Sequence, residues 1–205
     1  MGEEIKWNIE NNKTLLLVDP IDGTRPFTFG VGTFGFLAAL VIDGEPTIGV
    51  MSNPTVRRTL WAELDQGAYH YESGRRLKVS DAAKLEGTMC CIDSTSTISA
   101  HLRKNVRLHK ARAMTIYSAS ECNALVATGN ATASFSEVKT AHDIAAAKIV
   151  VEEAGGKVTD IFGNEQRYDG ELNGAILSNG IFHDELIQLR EKAIEEDIAD
   201  PAYES

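Results

Sequence analysis

Long apolar runs are missing from this chain. None approaches the ~20 residues needed to cross a bilayer, so no membrane-spanning role is expected. Cysteine is scarce: Cys90, Cys91 and Cys122 are the three present, and none has CxxC spacing. That argues against a disulfide framework or a zinc site and for a reducing compartment. Basic residues are outnumbered, 20 against 30 acidic ones, giving a net charge of -10. Such a surface repels a nucleic-acid backbone, so no nucleic-acid partner is expected. The opening MGEEIKWNIE shows no signal-peptide pattern, and together with the cysteine usage it predicts a cytoplasmic protein. Repeats, low-complexity stretches and flexible linkers are likewise absent from the sequence.

What remains is a chain of 205 residues, 43% hydrophobic and 24% charged, enough for one large domain or two small ones that share packing. The apolar run at 15–18 reads as a buried strand and ends in the turn-rich Asp19-Pro20-Ile21-Asp22-Gly23-Thr24. Runs at 34–42 and 47–51, joined by Asp43-Gly44, predict a β-hairpin, and 59–63 and 68–71 continue a meander. The second half alternates. Strands are expected at 88–92, 113–117, 157–160 and 175–177, and helices at 97–105, 118–128, 144–154 and 182–196. Ser118 should cap the second of these helices and Asp143 the third, with Gly129 and Gly155 as their stops. A composition shift at 78–87 suggests a division into a mainly antiparallel part, 1–80, and an alternating part, 81–205.

Four carboxylates carry the chemistry. Asp19 and Asp22 lie three apart just after a buried strand, Asp143 sits at a helix start, and Glu3 lies near the beginning. Hard cations such as Mg²⁺ take oxygen ligands, often carboxylates together with a substrate phosphate. A pair of metals about 3.5–4 Å apart can clamp both the attacking and the leaving oxygen. Each residue also has a plainer reading: Asp-Pro and Asp-Gly form ordinary turns, Asp143 caps a helix, and Glu3 is a solvated terminal residue. No Ser/His/Asp or Cys/His triad is apparent, and Gly30, Gly32 and Gly35 do not form a strand-bound GxGxxG.

Taken together the motifs resemble a known family. LLVDPIDGTRPF (16–27) is similar to the first signature of the inositol monophosphatase family, HDIAAAKIVVEEAGG (142–156) to the second, and Gly2-Glu3-Glu4 to its short Gly-Glu-Glu element. The resemblance implies an α/β (α+β) layered α-β-α-β-α sandwich, here without the helical segment that usually precedes Gly-Glu-Glu. It implies Mg²⁺-dependent hydrolysis of a small phosphate monoester by metal-activated water, with two or three ions. Glu3, Asp19 and the carbonyl of Ile21 would bind one metal, and Asp19, Asp22 and Asp143 another. Thr24, with Glu3 and Asp22, would act in catalysis, while the amides of Gly23 and Thr24 would receive the phosphate. Ser136 stands where inositol-specific members carry a glutamate, with Glu137 beside it. His142 replaces the usual tryptophan, and these three are the candidate substrate contacts. Arg25 resembles the histidinol-phosphatase branch, in which Glu121 would face a substrate amine or else lie on a helix surface. Lys139 would offset phosphate charge or be plain surface. Alternatives are a histidinol-phosphate phosphatase, a nucleotide 3′-phosphatase, or an inactive truncated fold serving as a binding or oligomer subunit. The expected partner is a small phosphomonoester, and a homodimer is compatible with the family.

Overall fold

The computed structural model describes residues 5–8 and 14–199, with 5–8 described by their backbone. Gly2, Glu3 and Glu4 lie outside the described residues. Two sheets organise them. The first is a six-stranded antiparallel meander in chain order: β1 (Ile5–Asn8), β2 (Thr14–Asp22), β3 (Gly35–Ile42), β4 (Glu45–Asn53), β5 (Arg58–Glu63) and β6 (Gly67–His70). The second contains β7 (Met89–Ile92), β8 (Arg112–Met114), β9 (Ala133–Ser136), β10 (Lys157–Thr159) and β11 (Ala175–Ser178), in the order β10-β11-β9-β7-β8. Here β7 pairs in parallel with both β8 and β9, and the remaining pairs are antiparallel. The parallel pairs need crossovers, and helices supply them. The helices are α1 (Thr24–Thr28), α2 (Thr97–Leu108), α3 (Ala119–Ala127), α4 (Ala141–Glu153) and α5 (His183–Ile198).

Burial places the layers. Leu15, Leu37 and Leu60 of the first sheet share one core with Val126 of α3, Ile144 and Val150 of α4, and Cys91 and Leu177 of the second sheet. On the far side of the second sheet, Cys90, Ile92 and Phe135 pack with Leu102 and Val106 of α2 and Leu186 and Leu189 of α5. The described residues therefore stack as sheet, helices, sheet, helices, in the α/β sandwich expected from the sequence. Adjacent Cys90 and Cys91 face opposite cores, as the two-residue period of a strand requires. Helix α4 is buried nearly all round and comes very close to β4. A Cβ added at Gly49 would lie 2.4 Å from Ile149 Cγ2 and 2.7 Å from the carbonyl of Ala146, so only glycine permits this approach.

The first sheet's other face is apolar and open. Ala38, Val50, Trp61 and Tyr69 form a cross-strand row, with the Trp61 and Tyr69 rings stacked 5.3 Å apart. Phe36 and Ile48 are exposed among the large apolar residues.

Three local expectations change. Strand β2 runs on through Asp22 instead of ending in a turn at Asp19, with a register irregularity between those two residues. Pro20, which has no N–H to donate, sits inside the irregular stretch. The N-cap of α4 is Thr140, so Asp143 is the third helical residue rather than the cap. Strand β9 and the short α1 have no counterpart in the sequence-based elements.

Candidate metal centre and active site

The irregularity at the end of β2 makes the centre. In a regular strand, residues three apart point to opposite faces; an extra residue in the strand brings them to the same one. Asp19 and Asp22 flank such an irregularity. Asp143 arrives from the first turn of α4, which lies against the same sheet. One carboxylate oxygen from each of the three lies within 4.8 Å of the others.

Each carboxylate is held differently. Asp19 Oδ1 accepts the Ile21 N–H at 3.0 Å. Asp22 is 6% exposed, and its Oδ2 accepts three bonds from the start of α3: Ser118 Oγ at 2.7 Å, Ser120 N at 2.8 Å and Ser120 Oγ at 2.6 Å. Those donors occupy one oxygen, so the other is available to a cation. Ser118 is also the N-cap of α3, accepting from the Glu121 N–H at 3.3 Å, as its sequence position predicts. Asp143 Oδ2 accepts from the Thr140 hydroxyl, and His142 Nε2 lies 3.7 Å from Asp143 Oδ1.

The electrostatics suit a cation. Burial, then the neighbouring Asp22 and Asp143 carboxylates, push Asp19 up from 3.8 to about 6, against the Ile21 N–H that lowers it. Three converging carboxylates are hard oxygen donors of the kind Mg²⁺ and similar ions take. The donor set therefore fits a divalent metal, whose charge would offset both the burial and the like charges that raise Asp19.

Two cavities flank the trio. One, of about 320 Å³, is lined by Gly23, Thr24, Arg25, Asp93, Ser94, Thr95 and Tyr117. The other, of about 230 Å³, includes Lys139, Thr140, His142 and Tyr168. Gly23 has φ 79° and starts α1, placing Thr24 on the first cavity. Asp93 was not singled out from the sequence. Burial, then the Asp22 charge, push it up from 3.8 to about 6. The available signal was its place directly after the buried strand β7, because open α/β sheets bind ligands at the carboxyl ends of their strands.

Other candidates lie elsewhere. Glu121 is buried and accepts from Arg58 Nη2 at 2.6 Å and Asn53 Nδ2 at 2.9 Å, so it neither faces a substrate amine nor lies on the surface. Its charge is matched by β5 behind the helix. Ser136 is 1% exposed within β9, and its Oγ meets no hydrogen-bond partner among the described residues. Glu137 is engaged by Ser94 and Arg190. Glu3 lies outside the described residues.

A two-sheet α/β sandwich with a carboxylate trio at a strand end, beside a glycine-led cavity, is an arrangement able to hold a divalent metal next to a small ligand. The inositol monophosphatase family matches residues 1–195, and the chain belongs to it. It is 35% identical over 191 residues to the fructose-1,6-bisphosphatase/inositol-1-monophosphatase of Thermotoga maritima, covering 91% of this chain and 72% of that protein. It is 34% identical over 199 residues to the histidinol-phosphatase of Mycobacterium tuberculosis, covering 91% and 73%. A solved Thermotoga maritima IMPase superposes with a TM-score of 0.84 at 33% identity, over 93% of this chain and 73% of that one. The protein is thus a phosphatase acting on small phosphate esters. No helix among the described residues is long and apolar enough to cross a membrane.

Proposed function

We propose that the chain hydrolyses a small phosphate monoester, inositol monophosphate or a related polyol or sugar phosphate, with Mg²⁺ as the cation and two or three ions at full occupancy. The observation that carries this reading is the convergence of Asp19, Asp22 and Asp143 within 4.8 Å. Bound there, Mg²⁺ supplies positive charge to the phosphate oxygens and lowers the pKa of water. Glu3, the Ile21 carbonyl and the trio would hold the ions. The Thr24 hydroxyl, with Glu3, would position the attacking water, and Asp22 keeps its orientation through Ser118 and Ser120. The amides of Gly23 and Thr24 receive the phosphate, which fixes phosphorus for attack. Water's oxygen bonds to phosphorus as the ester P–O bond breaks. A proton from the water ends on the departing alcohol. Of the substrate candidates His142, Ser136 and Glu137, His142 lines a cavity beside the trio. Histidinol phosphate and nucleotide 3′-phosphates are the runner-up substrates. The three cysteine thiols are free and buried, which fits the cytoplasm.

Phosphate release from a panel of monoesters tests the reading. Turnover is expected with Mg²⁺, with loss on chelation and recovery on adding Mg²⁺ back. Equal rates in Mg²⁺ and Ca²⁺ would count against it, because Ca²⁺ accepts looser, larger coordination.

The open row of Ala38, Val50, Trp61 and Tyr69 favours a further element of this reading, that the phosphatase associates through that face. It predicts a homodimer in sedimentation that Trp61→Glu dissociates. A wild-type monomer at all protein concentrations would remove it.

A further inference from the structure

One carbonyl anchors the segment that carries Gly23 and Thr24. From Gly23 through Phe34 the chain folds mainly on itself. The Phe27 N–H donates to the Gly23 carbonyl at 3.0 Å, the Val31 N–H donates to the Pro26 carbonyl at 2.8 Å, and the Phe27 and Phe34 rings meet edge to face at 5.0 Å. Among the described residues, the side-chain hydrogen bonds that reach this segment from elsewhere converge on the Gly32 carbonyl. It accepts from Asn53 Nδ2 at 3.0 Å and from the Thr55 hydroxyl at 2.7 Å.

Asn53 is the hub of that anchor. It ends β4, is 2% exposed, and uses both faces of its amide. Nδ2 donates to the Gly32 carbonyl and, at 2.9 Å, to Glu121 Oε1 of α3. Oδ1 accepts the Thr55 N–H at 2.8 Å and lies 2.6 Å from the Thr55 hydroxyl. Glu121 Oε1 also accepts from Arg58 Nη2 of β5 at 2.6 Å. The Glu121 charge strengthens the bond from Asn53, and Arg58 balances that charge where an unpaired one is costly. The gap among Asn53, Arg58, Ser120 and Glu121 is too small to admit water, so no solvent stands ready to replace a lost bond.

Glu121 follows Ser120, which with Ser118 holds Asp22. One amide therefore joins two halves of the centre: α3, which orients Asp22, and the segment that begins at Gly23. Asn53, Thr55 and Glu121 line neither cavity beside the trio, so the network acts from behind the site. We propose that Asn53, steadied by Glu121 and Thr55, is a positioning residue for the phosphate, setting the turn at Gly23 and Thr24 in register with Asp22. This rests on the reading that those two amides receive the phosphate, and adds what aligns them. Asp22 keeps its own bonds to α3, so losing the anchor weakens phosphate before it weakens metal.

Asn53→Asp tests this, because it keeps the shape, removes both donors and sets a carboxylate against Glu121 and the Gly32 carbonyl. Well below the variant's Tm, KM for the best monoester and the Kd of inorganic phosphate, by calorimetry with Mg²⁺, should each rise about tenfold or more. The Mg²⁺ concentration giving half the rise in Tm should move by less than about twofold. Thr55 is exposed, so Thr55→Val removes one bond to Gly32 at little risk to folding. It should weaken phosphate about threefold, and Thr55→Ser should keep wild-type affinity. Unchanged phosphate affinity in Asn53→Asp, with only Tm lowered, makes the network purely structural and overturns the inference. Equal weakening of phosphate and Mg²⁺ overturns it too, because the whole centre has then moved. If Asn53→Asp does not fold, the Thr55 pair decides: no loss in Thr55→Val, or the same loss in Thr55→Ser, refutes the anchor. A wild type that releases phosphate from no ester sinks the phosphatase reading, while binding of inorganic phosphate still judges Asn53.

Discussion

Asp19→Asn should lower turnover by more than about a hundredfold, because even partners one shell outside a metal cost about 10–100-fold when removed. Steady-state kinetics across a Mg²⁺ titration checks this. The variant should also lose the rise in Tm that Mg²⁺ gives the wild type, since a cation that binds only the folded state stabilises by mass action. Without metal the sign reverses. Burial, then the Asp22 and Asp143 charges, raise Asp19 from 3.8 to about 6 in the fold. Between those values the folded chain binds more protons than the unfolded one, so stability falls as pH rises through that window. Asn has no proton to lose. In chelator, Asp19→Asn should therefore melt above the wild type at pH 7.5, with the gap closing below about pH 4. A variant with near-normal turnover would overturn the metal centre. A variant equal to the wild type in chelator at pH 7.5 would overturn the account of its charge.

Gly23→Ala should damage both stability and catalysis. The position has φ 79°, and an added Cβ would sit 2.9 Å from the Thr33 carbonyl and 3.0 Å from Ser118 Cβ. Left-handed backbone costs a non-glycine residue about 1–2 kcal/mol, and overpacking a tight site about 1–3 kcal/mol. Each kcal/mol lowers Tm by about 2–4 °C in a chain of this size. The clash falls on Ser118, whose hydroxyl holds Asp22 at 2.7 Å, so the disturbance reaches the centre. Gly30→Ala is the control: its φ is 71°, yet a Cβ there meets nothing within 4 Å. Calorimetry and kcat on the two variants separate backbone strain from collision. Equal losses in both would show that the approach to Ser118 is not limiting.

The strands of the first sheet were readable because their apolar residues recur within turns that the sequence marks, as at Asp43-Gly44. Helix α3 was readable for a similar reason, with Ser118 at one end and Gly129, φ 76°, just past the other. Strand β9 was not. Ala133-Ser134-Phe135-Ser136 holds no β-branched residue, and it is buried on both faces by tertiary packing that a short window does not contain. The cap of α4 was misplaced by three residues because Thr140 and Asp143 both favour helix starts. At the site, the motif exposed the carboxylates themselves. It did not expose what holds them: Ser118 and Ser120 are far from Asp22 in the chain and meet it only after the two sheets close on α3 and α4. Glu121 was misjudged for the same reason, since nothing nearby in sequence announces Arg58 or Asn53.

The position of α4 in chain order also sets when the centre comes into being. The first sheet pairs its strands consecutively, so it can zip up hairpin by hairpin as a nascent chain emerges. At that stage Asp19 and Asp22 are present, but their third partner is not, and the sheet's inner leucines have no cover. Asp143 and the apolar side chains of α4 emerge much later, in one short segment. Completion of the carboxylate trio and concealment of the sheet should therefore coincide during synthesis. A ribosome-bound chain stopped before α4 should bind chaperones and no metal, and one stopped after α4 has cleared the exit tunnel should have exchanged the first for the second.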